Sequence, residues 1–266
     1  AGVTVSGESF DSDLLIRIWA DESSPVADTI DRAKETLVIN GGAIVSAEAR
    51  DSYLRLTANY EGDVPRLADA LLKTPGVVLH SIGENSEVIK DVGTPMAIDE
   101  RHEIKKLSGT HGVGHVRMAT ESAVDISHAH PFWAYPFTDV TVVHNGQLTN
   151  YHGMKREHES RGHHFQTHND SELIAVYLAD KLSEGMELEE ALRESLDDLD
   201  GTFTYLVSTK DGMGYAKDRW AAKPLVLMET DSVVALASEE VALRSVFADE
   251  LVRTEPQEHE VMTWSA

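Results

Sequence analysis

Alternating apolar and polar residues predict strands in the first hundred positions. Residues 14–19 follow the period of two that is typical of a half-buried strand, and 52–58 and 77–83 are further strand candidates. A helix is predicted to begin near Pro65, because the N–H that proline lacks would have no partner in a first helical turn. This part of the chain is therefore expected to form short strands around one helix.

Helical periodicity replaces this alternation after residue 170. Apolar residues recur at helical spacing over 170–182 and again over 188–199. Beyond Gly201, Lys-Asp-Gly at 210–212 and Thr-Asp at 230–231 each separate two strand-like runs and predict hairpins. Strands, then a helix pair, then strands again predict an α+β architecture of two antiparallel sheets covered by helices.

Composition narrows the classes of protein. The chain has 266 residues, of which 41% are hydrophobic, and this favours one compact domain over 1–266. It contains neither an apolar run long enough for a bilayer nor a secretory signal, so we expect a cytoplasmic protein without a membrane partner. A formal net charge of -23 repels phosphate backbones, and nucleic acid is therefore not an expected partner.

Three segments are rich in reactive polar side chains, and the first two also contain glycine: Gly-His-Val-Arg-Met-Ala-Thr at 114–120, Val-His-Asn-Gly at 143–146 and His-Asn-Asp-Ser-Glu at 168–172. The planar fork of Arg117 suits a carboxylate, although a surface arginine or a structural ion pair fits the same residue. Any function for these segments therefore depends on whether they meet in space.

The other two segments are equally open to a structural interpretation. Asn145 and Gly146 can form an oxyanion hole, yet Asn-Gly is also a common hairpin turn. Asp170 stands where a helix begins, so it can cap that helix or receive a substrate ammonium. Together, the guanidinium of Arg117, the carboxylate of Asp170 and the Asn145–Gly146 donors describe a pocket for a free amino acid with a side-chain carbonyl.

The order of these motifs resembles class II glutamine amidotransferases, and the resemblance extends over about 107–247. It implies a four-layer αββα fold of the N-terminal-nucleophile type and hydrolysis of glutamine to glutamate and ammonia, without a cofactor. It also implies a synthase subunit that receives the ammonia. Residues 76–93 and 109–112 are most similar to the amidotransferase subunit of N-methylglutamate synthase, a relative of glutamate synthase.

The resemblance also implies roles for single residues. Arg117 and Asp170 would bind glutamine, with Thr120 near its carboxylate, and Asn145 with Gly146 would stabilise the tetrahedral intermediate. The nucleophile of the family is an N-terminal cysteine whose own α-amino group serves as the base.

The chain contains no cysteine. Ala1 could replace the cysteine of a Cys-Gly-Ile start, or a first segment with the nucleophile and one strand could be missing. We favour the second interpretation, because the Arg-Gly-Pro-Asp-Ser loop of the family is absent as well. The chain as given is then expected to be inactive.

Two other functions stay open at this point. Ten of the 13 histidines lie over 111–168, which allows a metal-dependent hydrolase. Its candidate ligands are His128, His130, His163, His164, His168 and Asp170. The second alternative is an amino-acid-binding pseudoenzyme that retains the pocket without the nucleophile.

Overall fold

A computed structural model of the chain describes residues 1–7, 12–21, 23–116, 125–247 and 253–266. Arg117 and Thr120, two of the predicted glutamine-binding residues, lie outside these ranges. Among the described residues, no helix combines the length and the apolar character needed to cross a bilayer.

The strands and helices are numbered in chain order. The strands are β1 (Gly2–Ser6), β2 (Leu14–Ala20), β3 (Ala43–Arg50), β4 (Tyr53–Asn59), β5 (Val77–Gly83), β6 (Ser86–Lys90), β7 (His111–His115), β8 (Phe132–Trp133), β9 (Thr141–Leu148), β10 (Gly201–Ser208), β11 (Gly212–Lys217), β12 (Val226–Glu229), β13 (Val234–Ala237), β14 (Arg253–Thr254) and β15 (Glu260–Ser265). The helices are α1 (Val26–Ile39), α2 (Val64–Leu72), α3 (Pro95–His102), α4 (Tyr151–Ser160), α5 (Asp170–Ser183), α6 (Leu188–Asp198) and α7 (Glu240–Val246).

Helices α1 and α2 cover an antiparallel sheet of order β3-β4-β2-β5. The even-numbered apolar residues of β2, Leu14, Ile16 and Ile18, are buried in the core that these helices share with the sheet. Helix α2 begins as its sequence predicts, since the Asp63 carboxylate accepts a hydrogen bond of 2.7 Å from the N–H of Arg66.

Helices α5 and α6 cover a second antiparallel sheet, of order β15-β11-β10-β9-β8. Phe203, Tyr205 and Val207 of β10 are buried in the core on the helical side. The intervening residues face the other way, and the Ser208 hydroxyl lies 2.7 Å from that of Ser6 in β1, in the middle of the sheet β6-β1-β7. Helices thus cover the outer faces of packed antiparallel sheets, which confirms the predicted αββα sandwich.

The sequence prediction underestimated the helices. Residues 1–102 contain α1, α2 and α3 rather than one helix. Helix α1 buries Ile30, Ala33 and Leu37 at helical spacing, but these are few among its polar residues, so its periodicity is weak. The predicted hairpins β10–β11 and β12–β13 and the closing strand β15 are confirmed.

A buried glutamate with two arginine partners joins the sheet β6-β1-β7 to the sheet β3-β4-β2-β5. The Glu87 carboxylate of β6 is fully buried and accepts hydrogen bonds from Nε of Arg17 in β2, at 2.5 Å, and from Nε of Arg55 in β4, at 3.2 Å. Removing one partner of such a pair leaves a buried charge without compensation, which costs far more than the loss of a surface pair.

We therefore expect Glu87→Ala to lower the free energy of unfolding by about 3–5 kcal/mol, measured by urea titration. The matched control is Glu189→Ala, because Glu189 pairs with Arg193 at 2.6 Å on the exposed face of α6. This control should change stability by less than about 1 kcal/mol. Equal, small effects of the two substitutions would contradict the structural role given to Glu87.

Candidate functional site

The three segments singled out in the sequence meet at one open cavity of about 360 Å³. It lies between the end of β7, the second half of β9 and the first turn of α5. Its lining residues are Gly114, His115, Val116, His130, His144, Asn145, Gly146, Asn169, Asp170, Ser171 and Ser238. Val116, the residue before Arg117, borders the cavity, while the positions of Arg117 and Thr120 themselves lie outside the described residues.

Asn145 and Gly146 do not form a hairpin turn, so the structural interpretation of this pair is wrong. Both lie inside β9, where Asn145 pairs with Thr204 and Gly146 with Phe203 of β10. Gly146 has φ of +143°, and a Cβ atom there would lie 2.1 Å from the carbonyl oxygen of Thr202. Only glycine fits this position, and its backbone geometry is fixed by the neighbouring strand.

Asp170 is the first residue of α5 rather than its N-cap. The cap is Asn169, whose side chain accepts a hydrogen bond of 2.8 Å from the N–H of Ser171. The Asp170 carboxylate instead accepts a hydrogen bond of 3.0 Å from the N–H of Leu148 in β9. Asp170 is therefore not the N-cap, and one of its carboxylate oxygens links α5 to β9.

The charge of Asp170 follows from these contacts. Burial raises the pKa of the carboxyl group, but His144 and the N–H groups of Leu148 and Ser171 lower it more, so the pKa lies below its ordinary value. The Nδ1 atom of His144 lies 3.6 Å from the carboxylate. Asp170 is thus held as an anion at neutral pH, which is the state that attracts an ammonium group.

The sequence analysis did not identify a buried cluster of contacting polar side chains in the wall of the cavity. The Ser171 hydroxyl lies 3.0 Å from Nδ1 of His144 and 3.0 Å from Nε2 of His130, and the ring of His115 stacks on His130 with centroids 4.2 Å apart. One hydroxyl carries one proton, so Ser171 donates to one histidine and accepts from the other. Three of these residues, His115, His144 and Ser171, stand inside the three polar segments singled out in the sequence, which was the available signal.

The histidines of the metal-site alternative have other contacts. His128 lies 2.8 Å from the Asp125 carboxylate, His130 contacts Ser171, and His163 lies 3.1 Å from Asp180. Within the described part of the chain, no group of three or more potential ligands is arranged to hold a metal ion. The contacts of these histidines therefore do not support the metal-dependent hydrolase that the sequence allowed.

The described strands and helices form a layered αββα fold, and Asn145, Gly146 and Asp170 line one cavity in it. Comparisons with known proteins identify the family. A family model described as a glutamine amidotransferase domain matches residues 115–245. The solved structure of the allosteric regulatory enzyme of purine biosynthesis shares the fold, with a TM-score of 0.55 and 23% identity over 94% of this chain and 46% of that one.

Two curated relatives are similar over most of their length. A protein of Methanothermobacter thermautotrophicus named as a glutamine amidotransferase is 41% identical over 239 residues, covering 89% of this chain and 78% of that protein. The glutamine amidotransferase-like protein GlxB of Rhizobium meliloti is 36% identical over 265 residues, covering 99% of this chain and 86% of that protein. The chain therefore belongs to the glutamine amidotransferase family.

The geometry at Gly146 gives a direct test of the site. Gly146→Ala should lower the free energy of unfolding by about 1–3 kcal/mol and abolish glutamine binding, because the added Cβ forces β9 and β10 apart. Gly153→Ala is the matched control, since a Cβ at this position in α4 meets no atom within 4 Å. It should stabilise the protein by about 0.5–1 kcal/mol. Urea titration and calorimetry of L-glutamine binding measure both, and a Gly146→Ala protein with unchanged properties would refute the constraint.

Proposed function

We propose that this chain is the glutamine-binding domain, over 1–266, of a glutaminase that supplies ammonia to a partner synthase. The observation that carries the proposal is the convergence of Asn145, Gly146 and Asp170 on one cavity of about 360 Å³. These groups come from two separate parts of the sequence, β9 and the first turn of α5. The pair in β9 and the carboxylate in α5 answer two different needs of glutamine hydrolysis.

The proposed roles follow from charge and geometry. Asp170, an anion at the first turn of α5, receives the α-ammonium group of glutamine. The side-chain amide of Asn145 and the N–H of Gly146 donate to the oxygen that becomes negative when the side-chain amide of glutamine is attacked. Arg117 is proposed to bind the α-carboxylate, with Thr120 near it; in the sequence, Arg117 is the residue after Val116, which borders the cavity.

Hydrolysis also needs a nucleophile. In the proposed reaction a thiolate attacks the amide carbon, ammonia leaves with a proton from the base, and water then releases glutamate from the thioester. The 266 residues include no cysteine. We therefore expect the chain as given to bind L-glutamine without releasing ammonia, and the amino-acid-binding pseudoenzyme remains the second candidate function.

The ammonia acceptor is proposed to be a synthase subunit of the glutamate synthase or N-methylglutamate synthase type. The similarity of 76–93 to the amidotransferase subunit of the latter supports this choice. In the fold, these residues form β5, β6 and the turn between them. A subunit that produces free ammonia gains from such a partner, because ammonia otherwise escapes into solvent.

Calorimetric titration with L-glutamine tests the pocket in this chain. Asp170→Asn should weaken binding by about tenfold to a hundredfold, because it removes the charged partner of the ammonium group. Asp197→Asn is the control, since Asp197 is exposed on the same side of the sandwich in α6. Failure of the unsubstituted chain to bind L-glutamine, or identical affinities for the two variants, would reject the proposed site.

Turnover distinguishes the glutaminase from the pseudoenzyme. The product of the whole coding region should release ammonia from L-glutamine, and Asn145→Ala should reduce kcat by about 100- to 1,000-fold with little change in glutamine affinity. If that product binds glutamine but releases no ammonia under any condition, the pseudoenzyme is the correct function. If Asn145→Ala instead weakened glutamine binding and left kcat unchanged, Asn145 would not be part of the oxyanion hole.

A further inference from the structure

A second cavity, of about 390 Å³, lies beside the glutamine site and is not used by the proposed reaction. It is bordered by β5, β8, the end of α2 and the segment over 164–167. Its volume is within the range of small-molecule sites, which is about 300–1,000 Å³. Part of its wall is aromatic, and the aromatic residues are Phe132, Trp133, Tyr135 and Phe165.

Lys90 places a buried cation on this wall. Its side chain belongs to a residue that is only 7% exposed, and its Nζ atom donates to the carbonyl oxygen of Ala129 at 3.3 Å and lies 5.2 Å from the ring centre of Phe132. Within the described residues, no carboxylate lies within 4.0 Å of this ammonium, and the carboxylates of Glu172 and Asp125 act on it only from farther away. Burial lowers the pKa of Lys90 to about 8, so the ammonium form still dominates at neutral pH, and an anion in direct contact would stabilise it.

His80 adds a second polar group without a partner. The residue is 3% exposed, and its Nε2 atom makes no hydrogen bond. Burial, and the nearby charge of Lys90, hold the pKa of the imidazole well below its ordinary value, so the ring is neutral. A neutral imidazole with hydrogen on Nε2 is a donor, and a buried donor without an acceptor costs free energy.

The two carboxylates of the same wall do not take the place of the missing anion. Glu172 already accepts hydrogen bonds from the N–H of Gln166 at 2.6 Å and from the N–H and hydroxyl of Thr167 at 2.7 and 2.5 Å. Asp69 accepts from the Tyr135 hydroxyl and pairs with Lys73 at 3.0 Å. Both carboxylates thus have their partners within the protein, whereas the Lys90 ammonium and the His80 imidazole remain available to a ligand.

We propose that this cavity binds a small monocarboxylate with an apolar, preferably aromatic, body. Its carboxylate lies between the ammonium of Lys90 and Nε2 of His80, and its body packs against Phe132 and Trp133. Charge-assisted hydrogen bonds from a buried cation are among the stronger polar contacts, and the aromatic wall contributes apolar burial. The bound molecule would adjoin the glutamine site, since Ala129 precedes His130 and Glu172 follows Ser171.

Three probes that share a phenyl ring and differ in charge test the charge requirement on the unsubstituted chain by calorimetry or ligand-observed NMR. Benzoate should bind saturably, with a dissociation constant on the order of 1 mM, as a ligand of this size allows. Benzamide, which is neutral, should bind about tenfold more weakly or not at all, and benzylamine, a cation, should not bind. Equal binding of benzoate and benzamide, or no saturable binding of benzoate, would overturn the proposal.

Variants locate the binding. Lys90→Met should weaken benzoate binding by about tenfold or more and His80→Phe by a smaller factor, whereas Lys105→Met, at a lysine whose side chain is 86% exposed, should leave it unchanged. Asp170→Asn should weaken glutamine binding and leave benzoate binding intact, so failure of one site is distinguishable from failure of the other. Benzoate affinity that is the same in folded Lys90→Met as in the unsubstituted chain would place the ligand elsewhere.

Discussion

The attachment of α5 to β9 is the constraint on which the site depends. The Asp170 carboxylate accepts from the N–H of Leu148, and Ser171, the next residue, contacts the His144 imidazole two positions before Gly146. Two consecutive helix residues thus hold the strand at two points. Because the helix carries Asp170 and the strand carries Asn145 and Gly146, these contacts set the distance between the proposed ammonium-binding group and the proposed oxyanion donors.

The rest of the sandwich keeps this junction rigid. Strand β10 sends Phe203, Tyr205 and Val207 into the core under α5 and α6, and it also supplies the backbone that excludes any side chain at Gly146. The same strand uses Ser208 to meet Ser6 of β1 across the sheets. Packing, strand pairing and the site are therefore consequences of one alternating sequence, and a change of register in β10 would disturb all three.

Periodicity predicted most of the fold, because strong amphipathic patterns report which face is buried. It failed at α1, whose apolar residues are sparse, and at Asn145–Gly146, where local turn statistics were overruled by pairing with β10. The motifs singled out Asn145, Gly146 and Asp170 as candidates, but they did not show that Asn169 rather than Asp170 caps α5, since both residues suit a helix start. Ser171 had no pattern of its own, because its importance comes from two histidines that only the fold brings to it.

The position of the Ser171 hydroxyl couples two histidines that line the same cavity. A single O–H placed between two imidazoles has two orientations, and turning it exchanges donor for acceptor on His130 and His144 together. The tautomers of His130 and His144 are therefore coupled through one rotating bond. The two histidines can therefore exchange donor and acceptor roles without any movement of the backbone.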